Sequence, residues 1–159
     1  MQKSELTSTN PEYLGKLINF AGELFELFRE IETTTLVYGS LAYVYHTDDS
    51  SIAVNDIDML VPESILPKLI DLIDKGPAFE YELTSYHSLK VFKDDMKISF
   101  DGIEHYLDGL SLDYLAVEIN GTLLFVVTKD TLKEVYKRGV ESIPMKSDAY
   151  ARKLATLEV

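Results

Sequence analysis

The run Asp56-Ile57-Asp58-Met59-Leu60-Val61 constrains this chain more than any other. It reads as a β-strand closed by Pro62. Strand side chains alternate between faces, so Asp56 and Asp58 point one way while Ile57, Met59 and Val61 point to a core. Two carboxylates side by side repel, which raises one pKa. A strand buried on its other face keeps such a pair where a divalent cation neutralises it. Hard oxygen ligands suit Mg²⁺, which takes waters and phosphates as its other ligands.

The residues just upstream fit the same chemistry. Thr33 to Tyr38 is β-branched and aromatic, and reads as a strand that stops at Gly39-Ser40. A short helical piece, Leu41 to His46, follows. Glycine lets a phosphate approach the backbone closely, and Ser40 adds a hydroxyl to the free N–H groups of a helix start. A phosphate cradle and a carboxylate pair on adjacent strands describe a metal–nucleotide site.

The remaining segments supply a scaffold. Asn10-Pro11 opens a helix whose apolar residues, from Leu14 to Phe28, recur at three- and four-residue steps, and it is expected to end near Glu32. Ile65 to Ile73 form a helix that Gly76 closes. Phe79–Leu83 is strand-like. Leu89–Phe92 and Lys97–Asp101 flank a turn at Lys93–Met96, and Asn120-Gly121 marks a second hairpin between Leu115–Ile119 and Thr122–Val127. Thr128 caps a helix over Lys129–Lys137 with Gly139 as its stop. Ser147 caps a last helix carrying Tyr150, Leu154 and Leu157. This order predicts an α+β fold, a mixed sheet with helices mainly on one side, over a single domain of residues 1–159.

Composition narrows the partners. The 27 Asp and Glu against 15 Lys and Arg leave a formal charge of −12, which disfavours long nucleic acid and anionic membranes. The chain has no cysteine, which removes disulfides, thiolate metal sites and cysteine nucleophiles. No run of 18 apolar residues appears, and the first residues lack the apolar core of a signal peptide. The expected location is cytoplasmic.

A strand ending in Gly39-Ser40, a short helix, then Val54-Asn55-Asp56-Ile57-Asp58-Met59-Leu60-Val61 resembles the nucleotidyltransferase superfamily of the minimal, polymerase-β-like type. The resemblance extends weakly through the whole chain, towards small single-domain and toxin-type relatives. It implies transfer of a nucleoside monophosphate from an NTP to an acceptor hydroxyl, with pyrophosphate released by a two-Mg²⁺ mechanism. Gly39 and Ser40 would bind nucleotide, and Asp56 and Asp58 would hold metal. A third carboxylate on a hairpin strand would complete the metal set and act as general base. Ser99 and Asp101 share the face on which it would stand, and Asp101 is the one with the right chemistry. The gap from Ser40 to Asp56 is longer than in many relatives, and no Arg or Lys closely follows Ser40. The acceptor implied is a small molecule or a protein, with a homo-oligomer or protein partner as options.

Blander readings stand beside this one. Asp-x-Asp and Gly-Ser each occur by chance, and Asp48-Asp49 and Asp94-Asp95 read as turns. His46, His87 and His105 show no metal spacing. The basic residues Lys129, Lys133, Lys137, Arg138, Lys146, Arg152 and Lys153 read as solvated helix faces, or as a source of one or two phosphate contacts. Three classes therefore remain: an active transferase, a catalytically silent interaction module of toxin–antitoxin type, and a structural domain with an accidental motif.

Overall fold

The computed structural model describes residues 8–76, 79–85, 87–107 and 109–158, with backbone alone at 105 and 106. The reading of the His105 side chain lies outside the described residues. Helices and strands alternate as α1 (Pro11–Leu27), β1 (Leu36–Tyr38), α2 (Gly39–Thr47), β2 (Ile57–Val61), α3 (Leu66–Lys75), β3 (Glu80–Leu83), β4 (Ser88–Lys93) and β5 (Met96–Gly102). They continue as α4 (Ile103–Leu107), β6 (Tyr114–Ile119), β7 (Thr122–Val127), α5 (Lys129–Ser142) and α6 (Ser147–Leu157). The described strands form one mixed sheet in the order β3-β4-β5-β2-β1-β7-β6. The pairs β2–β5 and β1–β7 are parallel, and the others are antiparallel. The fold is α+β, as expected.

The core follows from the apolar periodicity. Leu14, Leu17, Ile18, Phe20, Ala21 and Leu24 bury one face of α1. Phe28, just past the helix, meets Phe100 of β5 edge-on at 5.6 Å between centroids. Ile57, Met59 and Val61 are fully buried, as their strand alternation requires. Asn120 and Gly121 both take positive φ, 51° and 80°, which joins β6 to β7 through a tight turn.

Several boundaries differ from expectation, each for a physical reason. α1 ends at Leu27 rather than near Glu32. No basic residue lies in its last turn, and Glu30 and Glu32 would add negative charge at the negative end of the helix dipole. Asn10 makes no side-chain cap; it clamps the loop before β2 instead. Its Oδ1 accepts from the Val54 N–H (3.1 Å) and its Nδ2 donates to the Val54 carbonyl (2.9 Å). The Thr33–Thr35 stretch stays unpaired because Leu36 already lies opposite Leu60. Two residues further on, the partner would be Pro62, which has no N–H. α4 was not foreseen.

The C-terminal helices also shift. Thr128 does cap α5, its Oγ1 accepting from the Thr131 N–H. Gly139 does not stop α5, which runs on to Ser142. That glycine is a packing site: a Cβ there would stand 2.4 Å from Tyr150 Cδ2 on α6. Ser147 is the first residue of α6, after a 3₁₀ turn at Pro144–Lys146, and makes no cap.

Candidate functional site

Register across three strands builds the site. In the antiparallel β1–β2 pair, Tyr38 lies opposite Asp58. In the parallel β2–β5 pair, Asp58 lies beside Ser99. Tyr38, Asp58 and Ser99 therefore form one row across the sheet, which Lys90 of β4 extends. The next row runs Leu36, Leu60, Asp101 and Ser88. Ser99 is thus the direct neighbour of Asp58, and Asp101 stands one row deeper.

Each carboxylate meets a different environment. Burial, then the charges of Asp56 and Asp101, push the Asp58 carboxyl up to about 7, against the pull of Lys97 and Lys146. Asp101 is 6% exposed. One of its oxygens accepts from Ser88 Oγ at 2.5 Å, and the other accepts from the Tyr38 hydroxyl. Burial raises its pKa, with the two hydroxyl donors and Lys90 acting against it. Asp56 immediately precedes β2. Its Oδ2 lies 3.2 Å from Lys97 Nζ on the adjoining strand.

Gly39 brings backbone against this carboxylate pair. It has φ of +70°, and a Cβ on it would stand 2.8 Å from Asp58 Oδ2. Only glycine takes that conformation at that distance without strain. Gly39 also starts α2, so the free N–H groups of the helix open next to Asp58. Its carbonyl accepts from the Tyr136 hydroxyl of α5 at 3.4 Å.

Ser40 follows and receives a cation from the far end of the chain. Lys153 Nζ of α6 donates to Ser40 Oγ at 3.4 Å. The ammonium sits 5.4 Å from the centre of the Tyr43 ring and 5.9 Å from that of Tyr136, a cation–π seat between two aromatics. Burial lowers the Lys153 pKa, while Asp58 and Asp56 pull it back up.

The structure thus brings Gly39, Ser40, Asp56 and Asp58 to one place and sets Asp101 close behind. Sequence reasoning did not single out Lys97, Tyr38 or Lys153 as site residues. Lys153 lay in the C-terminal basic region, and Lys97 alternates on β5 with Ser99 and Asp101; those were the available signals. Asp94 lies in the β4–β5 turn, as expected, and Asp48 is instead the C-cap of α2; both have positive φ. His46 bonds the Val127 carbonyl and His87 contacts Glu63, so both have structural partners. A surface hollow bordered by His46, Thr47, Lys129 and Thr156 includes none of the site carboxylates.

Asp56 and Asp58 fit a divalent cation in donor chemistry and in charge. Both offer hard oxygens, and burial together with the neighbouring charges of Asp56 and Asp101 penalises the Asp58 carboxylate, a penalty that a bound cation would offset. Among the described residues, no group of three Asp, Glu or His side chains is arranged to hold a metal ion. Asp101 keeps its hydroxyl partners instead.

No family model matches the sequence. No curated protein sequence matches it either. Solved structures do match in shape. ANT(2")-Ia in complex with adenylyl-2"-tobramycin superposes with a TM-score of 0.61 at 12% identity, covering 89% of this chain and 87% of that one. An antigenic nucleotidyltransferase-like protein from Paracoccidioides brasiliensis gives 0.56 at 11% identity, covering 96% and 77%. The lincomycin-bound lincosamide antibiotic adenylyltransferase LnuA gives 0.54 at 11% identity, covering 89% and 94%. This chain has the nucleotidyltransferase fold.

Proposed function

We propose that this protein is a nucleotidyltransferase, acting as one domain, that moves a nucleoside monophosphate from an NTP to an acceptor hydroxyl and releases pyrophosphate. The observation that carries the reading is the meeting of the Gly39-Ser40 helix start, the Asp56/Asp58 pair and Lys153 at one point. The likeness to nucleotidyltransferase structures supports it.

Each residue has a role that its surroundings suit. Ser40 Oγ and the first N–H groups of α2 would hold the outer phosphates of the NTP. Lys153 would supply the cation that no residue just after Ser40 provides, held by its aromatic seat and by Ser40. Asp56 and Asp58 would hold Mg²⁺. When bound, Mg²⁺ supplies charge stabilisation to the attacking and leaving oxygens of an in-line displacement. Asp101 would accept the proton of the acceptor hydroxyl; its raised pKa suits a base that gains a proton. Orientation and charge placement would provide most of the rate.

The acceptor we favour is a small molecule with a free hydroxyl. Two of the similar structures hold antibiotic-derived ligands, and the −12 charge opposes long RNA or DNA. A protein acceptor is the alternative. The described residues contain no helix long and apolar enough to cross a membrane, and we place the reaction in the cytoplasm. A second reading, a catalytically silent nucleotide- or protein-binding module, draws on Asp101, both of whose oxygens already accept hydroxyl hydrogen bonds.

A thermal-shift panel of the four NTPs, with and without Mg²⁺, tests the assignment. A nucleotide at about 100 times its dissociation constant adds about 2.7 kcal/mol of stability. Asp58→Asn should abolish the Mg²⁺-dependent part of that shift. An equal shift in wild type and variant would remove Asp58 from the site. Transfer of labelled nucleotide to a panel of hydroxyl acceptors then separates the enzyme from the silent module.

A further inference from the structure

Lys97 is the one strand cation that touches the carboxylate pair among the described ion contacts. The register explains why it does. Ile57 lies beside Ile98 in the parallel β2–β5 pair, so the residues just before them, Asp56 and Lys97, come out next to each other on the site face. The Nζ–Oδ2 distance is 3.2 Å, and both side chains are about one-third exposed, 35% and 31%. The same ammonium also acts on Asp58, where it opposes the rise caused by burial and then by the charges of Asp56 and Asp101.

We propose that Lys97 is an exchangeable counter-ion of the site, holding the place beside Asp56 until a divalent cation arrives together with nucleotide. This rests on the nucleotidyltransferase reading above. A cation shared by Asp56 and Asp58 would sit on the Asp56 carboxylate that Lys97 now holds. A lysine ammonium and a divalent ion on one carboxylate repel each other, which favours departure of the lysine. Lysine can leave: its flexible four-carbon stem is partly in solvent, and an exposed ion pair is weak. Its next partner is on hand, because the NTP brings phosphate charge to the same mouth. Metal alone would release Lys97 to solvent, with no phosphate charge to replace the lost ion pair. Metal with nucleotide would not. The pair therefore discourages binding of free metal and couples metal affinity to nucleotide.

The experiment measures Mn²⁺ binding by titration calorimetry and by the loss of the free-Mn²⁺ spectrum in electron paramagnetic resonance. It compares wild type, Lys97→Met, Lys97→Arg and Asp58→Asn, each without nucleotide and with a non-hydrolysable ATP analogue. Lys97→Met should bind Mn²⁺ alone about five- to tenfold more tightly than wild type. The gain in Mn²⁺ affinity that nucleotide confers should shrink by a similar factor. Lys97→Arg should behave as wild type. Lys97→Gln serves where the methionine variant does not fold by circular dichroism. Equal Mn²⁺ affinity in wild type and Lys97→Met, with Asp58→Asn still abolishing it, overturns the role of Lys97 and leaves the metal site standing. Looser Mn²⁺ binding in Lys97→Met also overturns it. Binding of neither Mn²⁺ nor nucleotide by any of the proteins overturns this inference and the nucleotidyltransferase reading together.

Discussion

Replacing Asp58 with asparagine should stabilise the metal-free protein at pH 8, although it removes a carboxylate of the candidate site. In the native state Asp58 keeps its proton up to about pH 7, because burial and the charges of Asp56 and Asp101 penalise the carboxylate. In the unfolded chain an aspartate ionises near 3.9. Between those values the native state binds more protons than the unfolded state, so stability falls as pH rises from about 4 through 7. A rise of roughly three pKa units corresponds to about 4 kcal/mol lost above pH 7. Solvent at the half-buried carboxyl reduces that figure, and about 2 kcal/mol is the working expectation. Asparagine is neutral throughout and escapes the penalty. Urea unfolding of wild type and Asp58→Asn at pH 5 and pH 8 should therefore show a gap at pH 8 that shrinks to roughly a third at pH 5. Millimolar Mg²⁺ should narrow the pH 8 gap by stabilising wild type alone. The reasoning fails if Asp58→Asn is no more stable than wild type at pH 8. It also fails if the gap is as wide at pH 5.

Two glycine substitutions test the geometry around this point. Gly39→Ala should lower stability by about 2 kcal/mol, since alanine at φ of +70° is strained and its Cβ meets Asp58 Oδ2 at 2.8 Å; an unchanged urea midpoint would show that the turn is not held against Asp58. Gly139→Ala would normally stabilise a helix interior by about 1 kcal/mol. Here the sign should reverse, to a loss of about 1–3 kcal/mol, because Tyr150 occupies the space. The same variant should weaken nucleotide binding, as α6 also carries Lys153; a stabilised variant with intact binding would refute the packing account.

Much of the fold is legible along the chain because its causes are local. The Asn120-Gly121 turn, the Thr128 cap and the alternation through Ile57, Met59 and Val61 each depend on a few neighbouring residues. The helix ends are less legible. Gly139 has the composition of a stop signal, and only the arrival of Tyr150 shows that it is a contact. Asn10 has the composition of a cap, and its side chain is taken by Val54, 44 residues away.

The site divides in the same way. The sequence by itself determined that Gly39-Ser40 follows a strand and that Asp56 and Asp58 share a face, because alternation and turn chemistry act within a few residues. Tertiary structure decided which strand lies beside β2 and in what register. Periodicity assigns a residue to a face but not to a neighbour. Hence Lys97 beside Asp56, Ser99 beside Asp58, and Asp101 one row deeper under Tyr38 and Ser88 appeared only in the assembled sheet. Lys153 reaches Ser40 across 113 residues of sequence because α6 packs on α2. Those long-range contacts, rather than the motif alone, set the charge at the site.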